Sequence, residues 1–137
     1  MTNRGFTLIE IIIVLVIIGI GFMTVAPVIV EKATGVPEDI AFFDDLLRNT
    51  AKEAEDLGRA IALRGVKGSS TVFLNDGTTV RIPGSGVLSA KVNEKDQAGL
   101  EYIFFVYPSG ISDYFEIHFS NGRVLESIPL LLQVREK

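Results

Sequence analysis

The sequence predicts an α+β chain, with a long N-terminal helix, first transmembrane and then amphipathic, packed on an antiparallel β-sheet domain. Three observations carry this. An apolar run fills residues 6–30, a helical periodicity follows from Glu38 to about Arg64, and the later segments read as strands separated by Gly- and Pro-bearing turns. The predicted organisation is a leader at 1–5, a membrane helix at 6–30, a kinked connection at 31–37, an amphipathic helix at 38–64 and a β domain at 65–137.

The apolar run comes first. Some 25 residues at 1.5 Å each make a helix of roughly 37 Å, enough to cross a bilayer core of about 30 Å with some tilt. One acid, Glu10, stands near its start. A carboxylate in a membrane segment costs roughly 2.5–3.5 kcal/mol at the helix centre and less near the end. Glu10 therefore needs a partner. The apolar sequence around it offers none, so a cation brought from outside is expected.

The whole-chain composition is skewed by this segment. At 47% hydrophobic residues and a mean hydropathy of +0.36, the chain as a whole is apolar, yet the part after the anchor reads as one modest soluble domain. Formal net charge is −4, and removing Arg4 and Glu10, the only charges before Glu31, leaves it unchanged. A mildly acidic surface gives no electrostatic reason to expect nucleic acid or anionic lipid as a partner. The absence of cysteine removes disulfides and thiolate metal sites.

Three targeting readings compete for the N-terminus. A cleaved secretory signal requires a shorter apolar core and a small-residue cleavage site, and Thr24-Val25-Ala26-Pro27 supplies a poor one. A plain signal anchor leaves Glu10 unexplained. The third reading is cleavage before the apolar run, at Gly5-Phe6.

The stretch Gly5-Phe6-Thr7-Leu8-Ile9-Glu10 resembles the processing motif of type IV pilins and type II secretion pseudopilins. The resemblance implies that a prepilin peptidase cuts after Gly5, that Phe6 becomes the N-methylated mature terminus (N-methylphenylalanine), and that Glu10 is the assembly acid. Gly19 and Pro27 fall where the family often loosens its helix. The resemblance further implies a pilin-like fold and a single-pass inner-membrane protein, N-terminus cytoplasmic and C-terminal domain periplasmic, extracted into a periplasmic filament. Its partners would be other pilin or pseudopilin subunits through helix packing, the inner-membrane assembly platform and the peptidase. One departure stands out. The family usually has a single long helix, whereas Gly35-Val36-Pro37 predicts a break.

Beyond the break, Pro37-Glu38-Asp39 reads as a helix first turn. Ile40, Phe43, Leu47, Ala51, Ala54, Leu57, Gly58 and Ile61 then share one helical face, with Asp44, Arg48, Lys52, Glu55, Asp56 and Arg59 opposite. Asp44–Arg48 and Glu55–Arg59 are spaced as i,i+4 ion pairs. Asp76-Gly77 predicts a hairpin between 71–75 and 78–82. A short strand follows near 87–92, then a polar loop at 93–99. The segment 100–107 is apolar on both faces, as in a central or doubly covered strand. Pro108-Ser109-Gly110 turns the chain into 113–119, with Phe115, Ile117 and Phe119 inward and Tyr114, Glu116 and His118 outward. Arg123–Val134 finishes the domain, with Pro129 on an edge strand or bulge.

No catalytic centre emerges. His118 is the only histidine, and its alternating strand places it on the surface. Asn93, Glu94 and Asp96 offer oxygen ligands without a calcium-loop spacing. Gly84-Ser85-Gly86 is too short for a phosphate loop. The expectation is a non-enzymatic chain with no metal or cofactor. The segment 43–64, the Asp76-Gly77 hairpin and the Pro108-Ser109-Gly110 turn are similar to the GspH/FimT-like minor pseudopilins, which implies a subunit that starts or caps a filament. A minor type IV pilin for adhesion, motility or DNA uptake, and a membrane-anchored periplasmic binding domain that never polymerises, are the alternatives.

Overall fold

A computed structural model of the chain describes residues 5–33 and 35–137, with the side chains of 22–33 outside the description. The chain divides into two compact units, Met1–Val36 and Pro37–Lys137. The first holds α1 (Leu8–Ala33), 26 residues long, and every described side chain on it is exposed. Among the described residues no helix is long and apolar enough to cross a membrane. The predicted span of 6–30 runs on past Gly21 into side chains outside the description, as do the leader residues before Gly5.

Residues 35–37 are not helical, and Gly35 takes a φ of +63°, a left-handed geometry that favours glycine. Pro37 then caps α2 (Glu38–Leu57), whose first turn carries Glu38 and Asp39. The helix buries Asp39, Phe43, Leu46, Leu47, Thr50, Ala51 and Ala54, which adds Asp39, Leu46 and Thr50 to the predicted face. It ends seven residues short of the predicted boundary at 64. Gly58 adopts φ +65°, and the Gly58 and Arg59 N–H groups return to the carbonyls of Glu55 and Ala54. Leu57, assigned to the buried face, is 50% exposed at this end. Ile61 lies not on the helix but in β1 (Ile61–Val66), where Ile61, Leu63 and Gly65 point inward. The helical and alternating patterns coincide over Leu57–Ile61, and the left-handed glycine decides between them.

Two antiparallel sheets follow. The first has the order β3-β2-β1-β6, with β2 (Thr71–Phe73), β3 (Thr79–Arg81) and β6 (Glu101–Val106). The second has the order β5-β4-β7-β8-β9, with β4 (Val87–Val92), β5 (Lys95–Asp96), β7 (Phe115–Phe119), β8 (Val124–Ile128) and β9 (Gln133–Glu136). The hairpin forms around Asp76-Gly77, but with Val72 opposite Val80, one residue off the pairing that a two-residue turn at these positions would give. Three further readings change. The polar loop at 93–99 contains β5, joined to β4 through Asn93 and Glu94, both at positive φ as a two-residue hairpin turn requires. Strand β6 is not doubly covered; it is the edge of its sheet, with Tyr102, Phe104 and Val106 buried and Ile103 and Phe105 about two-fifths exposed. Pro129 opens a 3-10 turn, Pro129–Leu131, between β8 and β9, where its missing N–H is harmless.

One apolar cluster joins α2 to both sheets. Phe104 of β6 stacks on Phe115 of β7 at 4.2 Å, and Phe43 of α2 lies 6.0 Å from Phe115. Polar ties fix the helix above the second sheet. The Asp44 carboxylate accepts the Val134 N–H at 2.8 Å, and Arg123 bridges Asp39 at 2.5 Å and Glu136 at 3.2 Å. Asp44 is thus engaged with β9, and neither predicted i,i+4 pair is among the ion pairs of the described residues. Asp113 closes part of the open edge of β6: its carboxylate accepts the Phe105 N–H at 2.9 Å and the Tyr107 hydroxyl at 2.8 Å, while its own N–H donates to the Phe105 carbonyl.

Glu116 faces outward as predicted, yet it is only 6% exposed. Long polar side chains cover it rather than core: it accepts from Lys137 at 2.8 Å, contacts His118 at 2.6 Å and lies under Tyr114. Its cross-strand neighbour Glu126 accepts from Arg135 and from the Tyr114 hydroxyl. The Lys137 hydrogen bond is the main cause that holds Glu116 below its ordinary 4.5, and the Arg135 bond is the main cause for Glu126.

Two predictions follow from this packing. A Cβ on Gly65 would stand 2.0 Å from the ring of buried Tyr102, its cross-strand partner. Gly65→Ala is expected to cost about 2 kcal/mol or more, read as a lower denaturant midpoint at unchanged slope. Both glutamates have depressed folded-state values, so their stabilisation is complete above 4.5 and is lost as pH falls through the lower folded values. Arg135→Met with Lys137→Met is expected to flatten the fall in thermal midpoint below that pH, and an unchanged acid limb would refute the assignment.

Candidate functional site

The residues singled out by the sequence sit at the start of α1. Gly5 and Phe6 precede the helix, and Phe6 is 84% exposed. Thr7 is the cap. Its carbonyl receives the first intrahelical bond, from the Ile11 N–H, and its hydroxyl accepts the Glu10 N–H at 3.3 Å. Glu10 reaches back in turn: one carboxylate oxygen accepts the Thr7 N–H at 2.9 Å and the Thr7 hydroxyl at 3.1 Å. This is a reciprocal capping box, in which two otherwise orphaned helix donors are satisfied by the two side chains.

That geometry corrects one expectation. Glu10 does have a local partner. Its charge lies in the first turn, where the helix dipole favours an anion, and two donors of Thr7 hold one oxygen. The Thr-x-x-Glu spacing ahead of an apolar run is the sequence signature of this box, and it was legible in Thr7-Leu8-Ile9-Glu10. The other carboxylate oxygen accepts no bond among the described residues, so the site retains an acceptor for an external donor. Arg4 lies outside the described residues.

Gly19 is helical, and a Cβ placed there or on Gly21 would meet nothing within 4 Å. Pro27 is helical in its backbone, with its side chain outside the description. Elsewhere, among the described residues no group of three or more His, Cys, Asp or Glu could hold a metal ion. Asn93, one of the oxygen-bearing residues of the β4–β5 turn, is committed to backbone: its side chain accepts the Tyr114 N–H at 3.2 Å. His118 belongs to the Glu116 network.

Residues 1–26 match the family model of the prokaryotic N-terminal methylation motif. The match includes Gly5, Phe6 and Glu10, and this prepilin-type motif supports a type IV pilin-like reading of the chain. Comparison with curated proteins and with solved structures gave no match.

The capping box is open to test. Thr7→Val removes the hydroxyl that links cap to acid, a loss of about 1 kcal/mol. The Glu10 amide is then expected to exchange with solvent roughly fivefold faster in detergent micelles. Exchange at the wild-type rate would show that the hydroxyl does not hold this turn.

Proposed function

We propose that the chain is a structural, non-enzymatic subunit of a pilin-like filament, specifically a minor pseudopilin of a type II secretion pseudopilus that starts or caps assembly. The methylation-motif match over residues 1–26, with its Gly5-Phe6 junction and Glu10, carries the reading. The fold of the second unit, one helix on antiparallel sheets, supports the choice of subunit class. In this reading a peptidase removes residues 1–5, and α1 anchors the subunit in the inner membrane with the β unit in the periplasm.

The local geometry gives assembly a physical course. In the free subunit Glu10 is held by neutral donors, each worth about 0.5–1.5 kcal/mol net. The Phe6 amine of an arriving subunit offers a charge-assisted bond of about 1.5–3 kcal/mol, so it displaces or joins the Thr7 donors on the carboxylate. The acid is never left bare in lipid, and a misplaced neighbour gains nothing. Apolar helix packing supplies the cohesion, while the pair selects register. Gly19 and Pro27 permit local extension of α1 as the helices pack.

Intact-mass measurement of the protein from its native host tests the processing step. A mature species beginning at Phe6 and carrying one added methyl group is expected; a chain retaining Met1 leaves only the non-polymerising alternative. Glu10→Ala is expected to insert in the membrane at normal levels and to be lost, by tenfold or more, from filament complexes cross-linked in the periplasm. Deleting the gene is expected to stop export of secreted enzymes, whereas loss of surface pili with secretion intact favours the type IV pilus alternative.

A further inference from the structure

A groove of about 270 Å³ runs between α2 and the β2–β3 hairpin. Its floor is apolar, built from Phe42 and Leu46 of the helix, Leu63 of β1, and Leu74 and Val80 of the hairpin. Its helix-side rim carries Asp45, Asn49 and Glu53, one turn apart on a single face and all exposed. Among the described residues that line it there is no lysine or arginine. Asp45 makes no hydrogen bond or ion pair among the described contacts, and Glu53 engages only the Asn75 side-chain amide, at 3.3 Å. Two carboxylates thus stand at either end of an apolar trough whose own lining holds no cation, and neither is in an ion pair among the described contacts.

We propose that this groove receives an extended segment of a partner protein in which two cationic side chains flank one apolar side chain. The spacing follows from helix and strand geometry. Asp45 and Glu53 are eight residues apart, about 12 Å along the axis at 1.5 Å per residue. Residues i and i+4 of an extended chain lie on the same side about 13 Å apart at 3.3 Å per residue. The residue between them, i+2, points the same way, over the apolar floor. The groove has room for one large aliphatic side chain and for parts of the stems that flank it. Arginine or lysine stems would lie along the trough and place their charges at Asp45 and Glu53, where the acids are exposed and need no desolvation beyond the contact itself. The inference stands on the folded unit Pro37–Lys137 and does not require the filament reading.

The test uses the full chain, isotope-labelled in detergent micelles, and the peptide acetyl-Arg-Ala-Leu-Ala-Arg-amide as probe. Saturable amide shifts are expected at Asn49, Thr50, Leu74 and Val80. The affinity is expected to fall at least fivefold in Asp45→Asn/Glu53→Gln, a pair of exposed positions, and to vanish in Asn49→Trp, which covers the trough from the rim. The glutamate counterpart, acetyl-Glu-Ala-Leu-Ala-Glu-amide, is expected to leave these amides unmoved. No saturable shift, equal affinity for the two peptides, or indifference to the double variant overturns the proposal. So does movement of the same amides on raising protein concentration without peptide, which would assign the groove to a second copy of this chain.

Discussion

The ring of Phe115 is where the second unit is held together, because its two aromatic neighbours come from different layers. Phe104 brings the first sheet, Phe43 brings α2, and Phe115 belongs to the centre of the second sheet. Offset aromatic contacts at these distances add about 0.5–1.5 kcal/mol each beyond the apolar area they bury. Losing one such ring typically costs about 3–5 kcal/mol, against a total stability of about 5–15 kcal/mol for a domain. Helix and sheets share one apolar cluster, so loosening any of the three layers exposes the buried faces of the other two. The Asp44 and Arg123 ties then set where the helix lies above the second sheet, since Asp44 bonds β9 directly and Arg123, just ahead of β8, joins Asp39 of α2 to Glu136 of β9.

Most of this architecture was legible, and the exceptions share a cause. The hairpin at Asp76-Gly77, the start of α2 at Pro37 and the inward set Phe115, Ile117 and Phe119 all follow from local chemistry. The end of α2 did not, because Leu57, Gly58 and Ile61 satisfy both helical and alternating spacing. Only the left-handed backbone at Gly58 separates the two. Strand β6 misled for a different reason: Ile103 and Phe105 are apolar but uncovered, and apolarity on two faces does not reveal how many layers a sheet has. The burial of Glu116 depends on Lys137, twenty-one residues away in sequence, and no periodicity encodes such a contact.

At the N-terminus the motif was plain and its local mechanics were not. Reading Glu10 as an unpartnered acid overlooked Thr7, three residues earlier. The correction changes the physical problem. An acid with no partner must be rescued, whereas an acid engaged in a capping box can wait. In the proposed assembly the same carboxylate would serve helix initiation within one chain and recognition between chains, the two uses drawing on different oxygens or on exchange of one donor for a stronger one.

Asp113 has a consequence of another kind. By occupying the Phe105 N–H and carbonyl on the outer side of β6, it supplies with one residue what an additional strand would supply. Exposed sheet edges are templates for uncontrolled strand addition, and β6 carries Ile103 and Phe105 without lysine or proline to discourage it. The plug leaves too short a run of open backbone for another chain to extend the sheet. If the chain assembles through its N-terminal helix as proposed, the plug removes at β6 a competing route of assembly by strand addition, the kind of route that ends in amyloid.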